Sequence, residues 1–281
     1  MQRLLAGVAL ALAIAPAAIA QNHVDFAPDI TAKLGSAPSL VVNPNNLAHD
    51  NGAGGVIGYL LPAGTLPANV HIEGYEALAS GHSLLALDIT TALPGLPPGS
   101  PAEPRDVVEY APASGTFSKY FDGKAAGVPS NVRIDAISRN SSGNLLLSFD
   151  ISVTLPGVGA VDDEDVVVYS GGTFAMAFNG SAAGVASATD LDALQAVPGA
   201  LLVSFDTSGS VGGVTFDDED VLRFDTGAST WSMYFDGSVS DPVNWPKADL
   251  VALPEPEYEP AFVAGAALLA AGARLRHRRS G

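Results

Sequence analysis

The sequence predicts an all-β protein folded as a four-bladed β-propeller, and three observations lead there. A unit of about 58 residues recurs three times with four short strand signals in each copy. Each copy ends on Asp-Gly or Asn-Gly, pairs that favour tight turns. The 30 Gly and 20 Pro are scattered, and long helical periodicity is confined to the two termini.

Taken in order, residues 1–20 contain Arg3, the apolar run Leu4 to Ile14 and the small-residue triplet Ala18, Ile19, Ala20 before the polar Gln21. That is the pattern of a helical secretory signal peptide cut by signal peptidase after Ala20, so the mature chain is expected to be exported. Residues 21–71 carry looser strand signals, Ser39 to Asn43 and Gly55 to Leu61, and are expected to form a partial blade.

The blade repeats are predicted over residues 72–131, 132–188 and 189–248. Their first strands are Ile72 to Leu78, Arg133 to Ile137 and Asp190 to Leu194. A fourth copy, Asp249 to Leu253, stands alone at residues 249–253. The alanines Ala77, Ala136, Ala193 and Ala252 fall 59, 57 and 59 residues apart. The second strands end in Asp88, Asp150 and Asp206, and a loop rich in Gly or Pro follows each. Third strands run Asp106 to Tyr110, Asp165 to Tyr169 and Asp220 to Phe224; fourth strands run Thr116 to Phe121, Thr173 to Phe178 and Thr230 to Phe235. The turn pairs Asp122-Gly123, Asn179-Gly180 and Asp236-Gly237 come next, read as positions that tolerate positive φ. Pairing Asp249 to Leu253 with the N-terminal strands would close the ring and leave no long sheet edge exposed. A β-sandwich or open β-array is the competing architecture.

Residues 254–281 begin with Pro254, Glu255 and Pro256, continue through the uncharged run Ala261 to Ala273, and finish with Arg274, Arg276, Arg278 and Arg279. The uncharged run has 13 residues, shorter than the roughly 20 of a comfortable bilayer span, and is expected to form a short apolar transmembrane helix. Its arginines would stay on the cytoplasmic side. The tripeptide, apolar segment and arginine cluster, in this order at this end, resemble the PEP-CTERM sorting signal. The resemblance implies recognition by an exosortase-type transpeptidase, cleavage near the tripeptide, and an inner-membrane intermediate. It further implies delivery to the cell surface or exopolysaccharide matrix of a Gram-negative bacterium. An ordinary C-terminal anchor is the competing reading.

Composition narrows the function classes. Between the two terminal segments, residues 21–253 hold 8 Lys and Arg against 27 Asp and Glu, a formal charge of −19. Such a surface repels phosphate backbones, which excludes nucleic acid as the expected partner. The chain has no cysteine, so disulfides, thiol catalysis and thiolate metal sites are absent.

Two acidic clusters precede third strands: Asp162, Asp163, Glu164, Asp165 and Asp217, Asp218, Glu219, Asp220. One reading is calcium bound by Asp162, Asp163 and Asp165, and by Asp217, Asp218 and Asp220. The favoured reading is a solvated loop whose last aspartate bonds the blade turn, because the matching stretch of the first blade is Glu103, Pro104, Arg105, Asp106. Asp88, Asp150, Asp206, Asp135 and Asp192 converge if the blades are radial, and their recurrence favours structural ties over a channel cation site. His23, His49, His71 and His82 have no triad or ligand spacing, so no catalytic or cofactor-binding residue is assigned. The expected function is that of a non-enzymatic structural or binding protein. A calcium-dependent adhesion or carbohydrate-binding module is one alternative; a polysaccharide hydrolase or lyase, using paired carboxylates, is another.

Overall fold

A computed structural model describes residues 24–34, 39–50, 56–62 and 64–240. The signal peptide, the expected closing strand Asp249 to Leu253 and the sorting tail with its apolar helix lie outside the described residues. Among the described residues no helix is long and apolar enough to cross a membrane.

The chain is all-β and arranged as a four-bladed propeller. It opens with β1 (Val24–Phe26), β2 (Ala32–Leu34), β3 (Leu40–Val42), β4 (Ala48–Asp50) and β5 (Val56–Tyr59). Here β1, β4 and β5 pair in that order, while β2 and β3 form a separate ribbon. The next blade is the meander β6 (Ile72–Ala77), β7 (Ser83–Leu87), β8 (Val107–Ala111) and β9 (Thr116–Phe121), followed by the short helix α1 (Gly123–Ala126). A third consists of β10 (Ile134–Arg139), β11 (Leu145–Phe149), the ribbon β12 (Val153–Leu155) and β13 (Gly159–Val161), then β14 (Val166–Ser170) and β15 (Thr173–Phe178). The last repeats that plan in β16 (Ala193–Val197), β17 (Ala200–Ser204), β18 (Gly209–Val211), β19 (Val214–Phe216), β20 (Val221–Asp225) and β21 (Thr230–Phe235), ending in α2 (Gly237–Ser240).

Strand alternation sends successive side chains to opposite faces, so every central strand feeds two cores. In β7, Leu85 and Leu87 join a cluster with Ala27, Leu47 and Leu61 of the N-terminal blade, while Leu84 and Ala86 join one with Ile134, Leu147 and Phe149. In β17, Leu201 and Val203 pack with Leu146 and Phe178 of the preceding blade. Leu202 faces the other way, into a cluster with Ala193, Val221, Phe235 and the N-terminal Val24, Phe26, Leu34 and Val42. Four cores therefore link four blades in a circle, and the last core joins the first and last blades of the described residues. Burying these side chains contributes about 1.5–3 kcal/mol for each large aliphatic or aromatic group.

Three expectations from the sequence change. The N-terminal region is more complete than its two signals implied: β1 and β4 were not foreseen, and the ribbon β2–β3 matches β12–β13 and β18–β19 in position. The first-strand alignment through Ala77 is displaced. Cross-strand pairing places Gly74 opposite Ala86, Ala136 opposite Ser148 and Ala193 opposite Ser204, so Gly74, not Ala77, is the counterpart of Ala136. A register skip between Ile72 and Gly74, repeated between Ile134 and Ala136, hides this relation from simple spacing. A Cβ on Gly74 would lie 3.1 Å from Ile137, which accounts for the small residue where two inner strands meet.

Gly123, Gly180 and Gly237 are not the positive-φ turn residues the sequence suggests; Gly180, for instance, has φ −62°. They are glycine because a Cβ would meet Arg105 at 2.0 Å, Glu164 at 2.4 Å and Glu219 at 2.5 Å.

Candidate functional site

Two groups of acidic side chains recur around the ring. The first lies at the entry to each third strand. The Asp165 carboxylate accepts from the backbone N–H of Asp162 at 3.1 Å and of Gly180 at 2.9 Å. Asp220 accepts from Asp217 at 2.9 Å and Gly237 at 3.1 Å; Asp106 accepts from Glu103 and Gly123, both at 2.9 Å. In the N-terminal blade Asn46 takes one half of this role, accepting from the N–H of Asn43 at 3.1 Å. Both oxygens of each aspartate thus hold the loop before the third strand to the end of the fourth strand. The neighbouring glutamates are also engaged, Glu164 and Glu219 each accepting a serine hydroxyl at 2.5 Å, from Ser181 and Ser238. Burial pushes Asp220 up to about 6 and Glu219 up to about 7, against the hydrogen bonds that favour their ionised forms. Asp165 is raised in the same direction and for the same reason. Of the calcium candidates, Asp162, Asp163, Asp217 and Asp218 stay on the loop surface or partly exposed, while Asp165 and Asp220 are turned inward.

The second group lies where the inner strands β6, β10 and β16 come together. His71, Arg133 and Asp190 occupy equivalent positions at the heads of these strands. Their backbone N–H groups donate to the strand-end carboxylates of Asp88 at 2.6 Å, Asp150 at 2.7 Å and Asp206 at 2.9 Å. The N–H groups of those aspartates return the bond to the same three residues' carbonyls at 3.1–3.2 Å. The recurring aspartates are ties between first and second strands. Two residues further on, Glu73, Asp135 and Asp192 share the next equivalent position, and beyond them Glu76, Ser138 and Gln195 are buried. Ser138 donates to Glu76 at 3.1 Å and accepts from the Ala196 N–H at 3.0 Å, a polar link through three blades.

At the head of β6, ligand atoms of His71, Glu73 and Asp88 all lie within 4.8 Å of one another. The Arg133 Nε sits 3.6 Å from Glu73 and 3.9 Å from Asp150. Asp135 is only 2% exposed, and neither of its carboxylate oxygens has a hydrogen-bond partner among the described residues. Burial, then the nearby charges of Asp190 and Asp150, raise Asp135 well above the usual carboxylate range. Burial and the charges of Asp163, Asp206 and Asp150 push Asp190 up to about 7, and burial raises Glu73 despite Arg133.

The sequence named Asp88, Asp135, Asp150, Asp192 and Asp206 as a converging set, but did not connect His71 or Glu73 with it. The 17-residue step from His71 to Asp88 recurs from Arg133 to Asp150, and that recurrence is the signal that could have found the histidine. Of the other described histidines, His49 pairs with Asp25 and His82 with Glu109. His23 and the sorting residues Pro254, Glu255, Pro256, Arg274, Arg276, Arg278 and Arg279 lie outside the described residues.

No protein-family model matches the chain, and no curated protein matches it. Among solved structures it is similar to YCF48 bound to a D1 peptide, with 10% identity, 76% of this chain and 54% of that chain covered, and a TM-score of 0.33. It is similar to a chain of the nidogen/laminin complex at 9% identity, 77% and 62% coverage, and a TM-score of 0.33. A protein of unknown function from Bacteroides caccae matches at 10% identity, 82% and 86% coverage, and a TM-score of 0.33. The chain spans about half to three fifths of the first two. Likeness at this level carries neither function nor partner from those proteins to this chain.

Proposed function

We propose that this chain is an exported propeller delivered by a PEP-CTERM-like tail to the cell surface or matrix of a Gram-negative bacterium, where it serves as a non-enzymatic structural or binding component. The observation that carries the reading is the order Pro254-Glu255-Pro256, apolar run, Arg274 to Arg279 at one end, with a signal peptide pattern at the other. The body supports it in three ways: it is strongly acidic, it lacks cysteine, and the strand-end and clasp aspartates of its blades are bonded to backbone N–H groups. Signal peptidase and an exosortase-type transpeptidase are the processing partners in this reading, and exopolysaccharide is the surrounding matrix.

Expression of the full chain with and without an exosortase, followed by mass spectrometry of its C-terminus, tests the proposal. A surface form ending near Pro256 is expected, with the Arg-tailed form retained in the inner membrane when Pro254, Glu255 and Pro256 are replaced by alanine. An intact Arg274–Arg279 tail on surface protein, irrespective of exosortase, would overturn it.

A further inference from the structure

The head of the inner strands brings together more negative charge than its one guanidinium balances. Glu73, Asp135 and Asp150 have Arg133 as a charged neighbour, Asp88 adds its charge to Glu73 and Asp190 to Asp135, while the Arg133 Nε contacts Glu73 and Asp150 only at 3.6 and 3.9 Å. Buried carboxylates persist when they are paired, hydrogen-bonded, protonated or coordinated to a cation. Asp88 keeps Oδ1 on the His71 N–H at 2.6 Å and turns Oδ2 toward the His71 ring, 3.8 Å from Nδ1. Glu73 completes a set of three ligand atoms within 4.8 Å, and the His71 side chain, 44% exposed, gives that set an opening to solvent.

Asp135 is the independent sign. It holds the position equivalent to Glu73 on the neighbouring inner strand, shares Arg133 and Asp150 with Glu73 as charge neighbours, and is buried with both oxygens unpartnered. Backbone ties explain Asp88 and Asp150; they do not explain a buried Asp135, whose charged neighbours are Asp190, Asp150 and Arg133.

We propose that the head of strand β6 binds one divalent transition-metal ion, of the zinc or manganese class, through His71, Glu73 and Asp88, with the Asp150 and Asp135 carboxylates around Arg133 adding to the local negative charge. One imidazole and two carboxylates form a mixed nitrogen and oxygen set that suits these ions, whereas calcium takes six to eight oxygens. Three protein ligands leave coordination positions to water. The acidic loops are not part of this site.

The test uses the full-length chain, stripped with chelator and then titrated with Zn²⁺, Mn²⁺ or Ca²⁺ by calorimetry, with Mn²⁺ paramagnetic resonance as a second readout. One equivalent of Zn²⁺ or Mn²⁺ is expected to bind and to raise the melting temperature. Glu73→Gln and His71→Ala are each expected to weaken binding tenfold or more, while Asp162→Asn and Asp217→Asn leave it unchanged. The half-exposed His71 decides the matter if Glu73→Gln fails to fold. Absence of saturable Zn²⁺ or Mn²⁺ binding, binding that survives His71→Ala, or binding of calcium alone would overturn the assignment.

Discussion

The carboxylate of Asp165 holds the backbone N–H of Gly180 at 2.9 Å across 15 residues of chain, and the same bond joins Asp106 to Gly123 and Asp220 to Gly237. Because Asp165 also accepts from Asp162, Asp165→Ala leaves two backbone donors near the core without their charged acceptor. A loss of about 2–4 kcal/mol is expected in denaturant unfolding. Gly180→Ala should cost a similar amount, since its Cβ would lie 2.4 Å from Glu164. Asp162→Ala, on the loop surface, is expected within about 0.5 kcal/mol of wild type. Equal stability of Asp165→Ala and Asp162→Ala would remove the structural role given to the clasp.

Core truncation should depend on which face a strand presents. Phe149 is fully buried between two blades, and Phe149→Ala is expected to cost about 3–5 kcal/mol. Tyr120 and Met176 stand on outer strands at 40% and 38% exposure, so their alanine variants should shift stability by no more than about 0.5 kcal/mol. Thermal melting of the three variants checks the contrast.

Stability of the chelator-treated chain should rise as the medium is acidified from pH 8 toward 5. Asp190 is held at about 7 in the fold, against an ordinary 3.8, so the folded chain keeps a proton that the unfolded chain has lost in this window. Its stabilising contribution is complete below about 3.8 and disappears as pH rises through 7. Glu219 at about 7 and Asp220 at about 6 act in the same direction. Melting temperature against pH should flatten in Asp190→Asn, and a wild-type slope in that variant would contradict the assignment.

Much of the propeller was legible because three copies carry the same strands at even spacing, each with an aspartate before Val-Val or Val-Leu. The N-terminal blade was harder to see because its strands are only 3–4 residues long and Asn43 and Asn46 replace the acidic pair, although the turn they make is the same. The strand-end aspartates were correctly weighed as ties, since recurrence in every repeat points to the backbone. His71 is set aside in the sequence for want of ligand spacing and Glu73 is not singled out, because their meeting with Asp88 depends on the register of first and second strands, and the skip at Glu73 displaces that register from the alanine spacing.

Ring closure within the described residues rests on Phe26 of the first blade sharing a core with Leu202, Val221 and Phe235 of the last. Hydrogen exchange of the Phe26→Ala variant examines this directly. Faster exchange should appear in β17 and β20, in the last blade, more than in β11 and β14 of the blade across the ring. Exchange that rises only within residues 24–62 would show that the first and last blades do not share a core, and the closed four-bladed ring would be wrong.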